Sequence, residues 1–337
     1  MQRTSAPFVL DVHAHDIPEN FVQELSRRGA EFGARLEDRG GQTFIVHDEG
    51  YAYPLSPEFI DVAAKLKDMD ERGIDVTVLS PSPTFFGYER DPGVAEDMAA
   101  ALNDGTAQMA AKSGGRLLGM AVAPMQDPGR ALRELDRAVG AHGFRALEVG
   151  SHVAGRTLSE PQFRDFWRRV RELDLLVFAH PYYTGVKPRM ERYYQTNLIG
   201  NPLDTALAIA DICFSGILEE IPGVKFFFAH GGGFMPFQVG RLRHGFSVRQ
   251  ESKVDTSRSP EHAFRELYFD TITHDAPSLR YLVESVTAEH VFLGTDLPFD
   301  MADPDPLATL ASAGLTQEQQ NRIAGGNLRG HFGLEAK

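Results

Sequence analysis

Leu175-Leu176-Val177-Phe178-Ala179-His180 and Val224-Lys225-Phe226-Phe227-Phe228-Ala229-His230 decide how this chain is read. Each is a short apolar run that stops at a histidine. Runs of this length without polar alternation suit strands buried on both faces of a parallel sheet. Six more such runs lie at Phe8 to Val12, Val76 to Leu79, Leu117 to Val122, Ala146 to Val149, Leu267 to Thr273 and Val291 to Leu293. Stretches of helical period separate most of them: Phe59 to Arg72, Asp97 to Lys112, Arg130 to Ala141, Glu160 to Leu173, Leu203 to Glu220 and Pro277 to Ser285. Strands alternating with helices imply right-handed βαβ units. Eight repeats make this α/β chain a closed (β/α)8 TIM barrel, with a doubly wound open sheet as the alternative.

The 337 residues suffice for one barrel domain spanning 1–337. Residues 16–57 do not fit the repeat. They contain Arg39-Gly40-Gly41-Gln42 followed by Thr43-Phe44-Ile45-Val46, and Gly-Gly between alternating residues reads as a hairpin. A small β insertion after strand 1, capping the barrel mouth, is expected there.

Composition excludes several function classes. The 42% hydrophobic and 24% charged fractions are those of a globular chain with a large core. No apolar run is long enough for a membrane span, and the N-terminus lacks a secretory pattern. The net charge of −13 opposes binding to nucleic acid or anionic membrane. A single cysteine, Cys213, fits a reducing compartment, so a cytoplasmic protein is expected.

Polar residues gather where the apolar runs end. His13 and His15 stand two apart on a strand and project to one face, where a single metal ion can meet both. Strand five ends at His180, strand six at His230 and strand eight at Asp296. Any one of these alone reads as a hydrogen-bonded core residue. In a barrel, however, the C-terminal strand ends converge on one mouth, where active sites of this fold lie.

Asp11-Val12-His13-Ala14-His15, Met69-Asp70-Glu71-Arg72-Gly73-Ile74-Asp75-Val76, His180-Pro181, His230-Gly231-Gly232-Gly233 with Gly240-Arg241, and Gly294-Thr295-Asp296-Leu297-Pro298-Phe299 resemble the motifs of the amidohydrolase superfamily. The matching branch contains α-amino-β-carboxymuconate-ε-semialdehyde decarboxylase and, more distantly, γ-resorcylate and 5-carboxyvanillate decarboxylases. The resemblance spans essentially the whole chain. It implies that His13, His15, His180 and Asp296 hold one divalent cation, with water on the remaining position. Imidazole and carboxylate donors suit Zn2+, and nitrogen and oxygen donors also admit Mn2+. Binuclear members carry a bridging lysine at the end of strand four. Here that region, Ala146 to His152, has none, so one ion per chain is expected. Glu148 is then expected as hydrogen-bonding support, and His152 as a loop candidate.

The resemblance also makes His230 the proton carrier, with a fifth metal ligand as its alternative role and Asp296 as the second candidate for the proton. A histidine titrates near neutral pH and suits that task. Arg241 matches an arginine that grips the substrate carboxylate across a subunit interface, which implies a homodimer; a helix-surface arginine is the plain alternative. Tyr53-Pro54 stands where the branch has a second substrate-binding arginine before a proline. Tyr53, Phe85, Phe299 and His274 complete the expected substrate contacts. The implied function is metal-dependent, oxygen-independent decarboxylation of a small unsaturated or aromatic carboxylic acid. The alternatives are a hydrolase or hydratase, such as a lactonase, using the same metal-bound water, and a non-catalytic binding barrel.

Overall fold

The computed structural model describes residues 7–182 and 189–334. Its strands, in chain order, are β1 (Leu10–Asp16), then β2 (Ala34–Arg39), β3 (Gln42–His47) and β4 (Ala52–Pro54) of the insertion. They continue with β5 (Val76–Pro81), β6 (Leu117–Gly119), β7 (Ala146–Gly150), β8 (Leu176–His180), β9 (Lys225–Phe228), β10 (Tyr268–Asp270) and β11 (Val291–Phe292). All eight apolar runs of the sequence carry a strand.

The barrel closes through two short seams. β1, β5 and β6 pair in parallel, and β7 to β11 form a second parallel run. Ala121 joins them on one side, donating to Ala146 O at 2.9 Å while its carbonyl accepts from Glu148 N at 2.8 Å. On the other side Val12 N donates to Leu293 O at 3.0 Å, and Thr295 N to His13 O at 3.1 Å. Alternate residues of the strands, Val12, Val78, Met120, Ala146, Phe178 and Phe227 among them, form an inner cluster. The larger core lies between the strands and the surrounding helices.

Helix starts are written locally. Asp61, Asp91, Asp127, Asp275 and Asp305 each accept a backbone N–H from the first turn of the helix that follows. Two expected helices are interrupted. Asp61 divides Pro57–Ile60 from Val62–Arg72, and Gly216, at φ +71°, divides Asn201–Phe214 from Ile217–Glu220. No helix among the described residues is long and apolar enough to cross a membrane.

The insertion is more than a β element. It opens with a 14-residue helix, Glu19–Phe32, that buries Phe21, Leu25 and Phe32. The antiparallel sheet β2–β3–β4 follows. Arg39 pairs with Gln42, so Gly40 and Gly41 form the two-residue turn, at φ +69° and +89°. Both angles lie where glycine is favoured and match the turn that right-twisted hairpins prefer.

Glu148 departs from its expected role. It stands two residues after Ala146 on β7, on the same inward row, and is fully buried. Neither carboxyl oxygen has a hydrogen-bond partner among the described residues. Burial pushes this carboxyl well above its ordinary value near 4.5, with the nearby His13 working the other way. The folded state therefore holds the proton more tightly than the unfolded chain. The stability this contributes is complete below about pH 4.5 and is lost as pH rises towards the folded value. Glu148→Gln should remove that loss, narrowing the stability gap between pH 5 and pH 8 by up to about 1.4 kcal/mol per pH unit. Urea unfolding of chelator-treated protein at the two pH values checks this. Equal pH dependence in wild type and variant would contradict a neutral Glu148.

Candidate metal centre and active site

A bulge in β1 aims the first two histidines. Pairing with β5 steps from Asp11 opposite Thr77 to Ala14 opposite Leu79, so β1 carries one extra residue. Bulges of this kind re-aim side chains. Val12 keeps to the inner cluster, and His13 and His15 bring their Nε2 atoms within 3.2 Å of each other.

Each of three imidazoles gives its Nδ1 side to the protein. Asp270 Oδ2 lies 2.7 Å from His13 Nδ1. Ser80 Oγ, which donates to Ala14 O, lies 3.1 Å from His15 Nδ1. Pro181 O takes the hydrogen bond from His180 Nδ1. These partners set Nδ1–H tautomers and leave three Nε2 lone pairs facing inward. Asp296 Oδ1 sits 3.0 Å from His15 Nε2 and 3.3 Å from His13 Nε2. His230 Nε2 lies 3.3 Å from the other oxygen of Asp296. One donor atom each from His13, His180, His230 and Asp296 fall within 4.8 Å of one another, and His15 joins through its contacts to His13 and Asp296.

This donor set fits a divalent cation. His180 Nε2 is buried with no hydrogen-bond partner, although His180 otherwise lies deep in the site. A buried lone pair facing other lone pairs and a carboxylate wants a cation. The electrostatics agree. Burial opposes charge on His13, but hydrogen bonds to Asp270 and Asp296 outweigh it and lift this imidazole to about 10. Burial prevails at His15, which falls to about 4, and at His180, which is held well below its ordinary value. Burial also opposes charge on Asp296, yet its contacts with His13, His15 and His230 keep its carboxylate well below the usual range. The cluster thus draws positive charge to its middle.

Two of the acceptors occupy strained backbone. His230 and Asp296 lie at φ +55° and +65°, a region costly for side-chain-bearing residues and concentrated at functional sites. Asp270 stabilises the first of these turns, accepting from His230 N at 2.8 Å and from Gly231 N at 2.7 Å.

The remaining expected residues are placed as follows. Phe299 packs its ring 5.2 Å from His15, at the edge of the centre. Tyr53 packs on Phe299 at 5.4 Å, and its hydroxyl reaches Ser82 and Thr84. Phe85 is buried against Phe21 and His47, in the core beneath the insertion, and has no ring contact with the donor group among the described residues. His274 is exposed and outside the donor group. His152 hydrogen-bonds Tyr182 and Gly155 and likewise stands outside it. Arg241 is exposed on the helix Met235–Val248, away from its own chain's centre.

Asp270 and Lys65 were not foreseen as site residues. Lys65 is buried, and its Nζ donates to His15 O at 2.8 Å. Burial lowers this amine to about 8 against the pull of Asp16 and Asp11. Both had a signal. Asp270 interrupts an apolar strand, and Lys65 stands one turn before Met69 on the buried face of its helix.

Comparison with known proteins joins the geometry to a family. The chain is 30% identical over 329 residues to 2-amino-3-carboxymuconate-6-semialdehyde decarboxylase of Dictyostelium discoideum, covering 97% of this chain and 92% of the relative. Its fold matches the apo IDCase of Metarhizium anisopliae with a TM-score of 0.84 at 21% identity, over the full length of both chains. It also matches a dihydroxybenzoic acid decarboxylase of a Polaromonas species, crystallised with manganese and 2-nitroresorcinol, with a TM-score of 0.79 at 21% identity over 98% of each chain. The amidohydrolase family profile matches residues 10–334, and this chain belongs to the amidohydrolase family.

Proposed function

We propose that this protein is a metal-dependent, oxygen-independent decarboxylase of a small unsaturated or aromatic carboxylic acid. The observation that carries the reading is the convergence of three outward-anchored imidazoles and the Asp296 carboxylate, with His230 at 3.3 Å on the second Asp296 oxygen. The decarboxylase relative of 30% identity supports it. His13, His15, His180 and Asp296 would hold one divalent ion, zinc by the imidazole-rich donor set, with manganese as the alternative that the Polaromonas protein's contents support. Such an ion supplies Lewis acidity toward substrate oxygens and lowers the pKa of water.

The chain's own residues supply orientation and the proton. Decarboxylation breaks the bond between the carboxyl carbon and its neighbour, releases carbon dioxide and leaves a carbon that takes up a proton. His230 is the carrier we assign to that proton. Its side chain keeps 18% exposure while Asp296 keeps 8%, so it can exchange with solvent between turnovers. Asp296 faces it and serves as the second carrier. Phe299 walls the site beside His15 and limits water there.

The substrate carboxylate is assigned to Arg241 of a second copy. Phe237, Arg241 and Val248 follow one another along one face of their helix, and Phe237 and Val248 are 79% and 60% exposed. Leu207, on the helix Asn201–Phe214, is 61% exposed. An apolar stripe around a cation suits a homodimer face that delivers arginine to the partner's site. The buried, lone Cys213 agrees with a reducing compartment such as the cytoplasm.

His180→Ala should lose both bound metal and carbon dioxide release, read by metal analysis and by a panel of hydroxybenzoates, muconates and lactones. Carbon dioxide released without consumption of water separates a decarboxylase from a hydrolase or hydratase. Turnover confined to the lactones would overturn the reading.

His230→Ala should keep the metal and lose about 10² to 10⁴-fold in kcat. Full activity would move proton transfer to Asp296.

Arg241→Ala should raise KM for the carboxylate about 10- to 100-fold at unchanged metal content. Exchanging Arg241→Ala subunits with His13→Ala subunits should restore up to about a quarter of wild-type activity, since half of the dimers are mixed and each holds one intact site. A fully active monomer would contradict the arrangement.

A further inference from the structure

The strand end that anchors His15 continues as a row of hydroxyls. Ser80 meets His15 Nδ1, and Ser82 and Thr84 follow at steps of two. Tyr53, reaching over from β4, closes a triangle with the last two. Its hydroxyl lies 2.8 Å from Thr84 Oγ1 and 3.2 Å from Ser82 Oγ, and Ser82 Oγ lies 2.9 Å from Thr84 Oγ1. The Tyr53 ring packs on Phe299, which itself packs on His15. The triangle therefore stands one ring beyond His15, at the edge of the donor group.

We infer that Tyr53, Ser82 and Thr84 form a neutral recognition subsite for an uncharged oxygen substituent of the substrate, such as a phenolic hydroxyl, and not for a second carboxylate. This rests on the decarboxylase reading for the position of the substrate carboxylate and names the substrate class more narrowly. In a ring of three hydroxyls each oxygen gives one hydrogen and accepts one, leaving each a free lone pair. A substrate hydroxyl can insert into that ring as donor and acceptor together. A carboxylate can only accept. It would have to open the ring and stay desolvated without a compensating cation, which is costly.

Among the described residues no such cation stands there. Arg35 and Arg39 pair with Glu37, Arg90 pairs with Asp48 and Glu49, and Lys65 is committed to His15 O. Burial pushes the Tyr53 phenol up to about 12, so it remains a neutral donor and acceptor at physiological pH.

Calorimetric titration of zinc-loaded protein tests the inference without relying on turnover. The probes are benzoate, the three monohydroxybenzoates, and phthalate, isophthalate and terephthalate. The best hydroxybenzoate should bind about 3- to 10-fold tighter than benzoate, as one neutral hydrogen bond allows. Each dicarboxylate should bind more weakly than the hydroxybenzoate of the same substitution pattern. Tyr53→Phe and Thr84→Val, both close in shape to the native residues, should each erase the hydroxyl advantage while the loss on benzoate stays smaller. A dicarboxylate preferred over its hydroxybenzoate, or variants that weaken benzoate and hydroxybenzoate equally, would overturn the subsite. Carbon dioxide release without hydroxyl preference strikes the subsite alone. Hydroxyl preference without carbon dioxide release from any acid strikes the decarboxylase reading alone. No binding of any of these acids overturns both.

Discussion

The Asp270 carboxylate is the interaction on which the rest of the centre depends. It accepts from His13 Nδ1 at 2.7 Å, His230 N at 2.8 Å, Gly231 N at 2.7 Å and Ile272 N at 3.0 Å. Those four donors come from β1, from the turn after β9 and from β10's own exit. One side chain thereby fixes a ligand's tautomer, holds the left-handed turn at His230 and ties three strand ends together. Removing a fully buried acceptor would leave four donors unpaired, each with a desolvation penalty of about 1–3 kcal/mol. Outer partners of ligating histidines orient the ring and raise its basicity, and Asp270 does both from a position no solvent reaches.

Around that clamp the barrel mouth gathers buried carboxyl groups. Asp11, Asp16, Glu148, Asp270 and Asp296 are all buried, against one buried lysine, Lys65. Burial raises Asp11 and Asp16 to about 7, and it also lifts Glu148 well above its ordinary value. Such an interior is poorly compensated by the protein alone. Lys65 relieves part of it, hydrogen-bonded to the backbone of His15. The inward lone pairs of His13, His15 and His180 ask for more positive charge than one ammonium supplies. A divalent ion answers this demand better than a proton can, since one proton cannot satisfy three nitrogens and a carboxylate at once.

The strands and the first donor set were legible because each leaves a local mark. Buried parallel strands read as short apolar runs, and a polar residue at the end of such a run stands out, as at His180, His230 and Asp296. The features that escaped are those whose meaning is set by distant partners. Asp270 lies inside the strand Tyr268–Asp270, and its donors come from residues 13, 230, 231 and 272; proximity to a rim made His274 look like the better candidate. The β1 bulge is invisible in Asp11-Val12-His13-Ala14-His15, because only pairing with Thr77 and Leu79 creates it. The helix Glu19–Phe32 was legible in the spacing of Phe21, Leu25 and Phe32, but the Gly40-Gly41 turn drew the whole insertion toward a β reading. Phe85 follows a strand as Phe299 does, and only the packing of the insertion over it decides that one is core and the other faces the centre.

The insertion also changes what the barrel can select. Strand ends position the donors with little freedom, since each is held by ladder hydrogen bonds on both sides. The β2–β4 sheet, by contrast, reaches the mouth through Tyr53, whose ring packs edgewise on Phe299 and at a tilt on Phe59 and whose hydroxyl ties to Ser82 and Thr84. A change on this sheet can alter the shape and polarity beside the centre without disturbing His13, His15 or Asp270, because no hydrogen bond joins them to Tyr53 among the described residues. On the proposed function, chemistry and selectivity would be carried by different parts of the chain, the first by the barrel's strand ends and the second by a sheet laid over them. That separation would let the centre keep its donor geometry while the insertion sets which carboxylic acid fits.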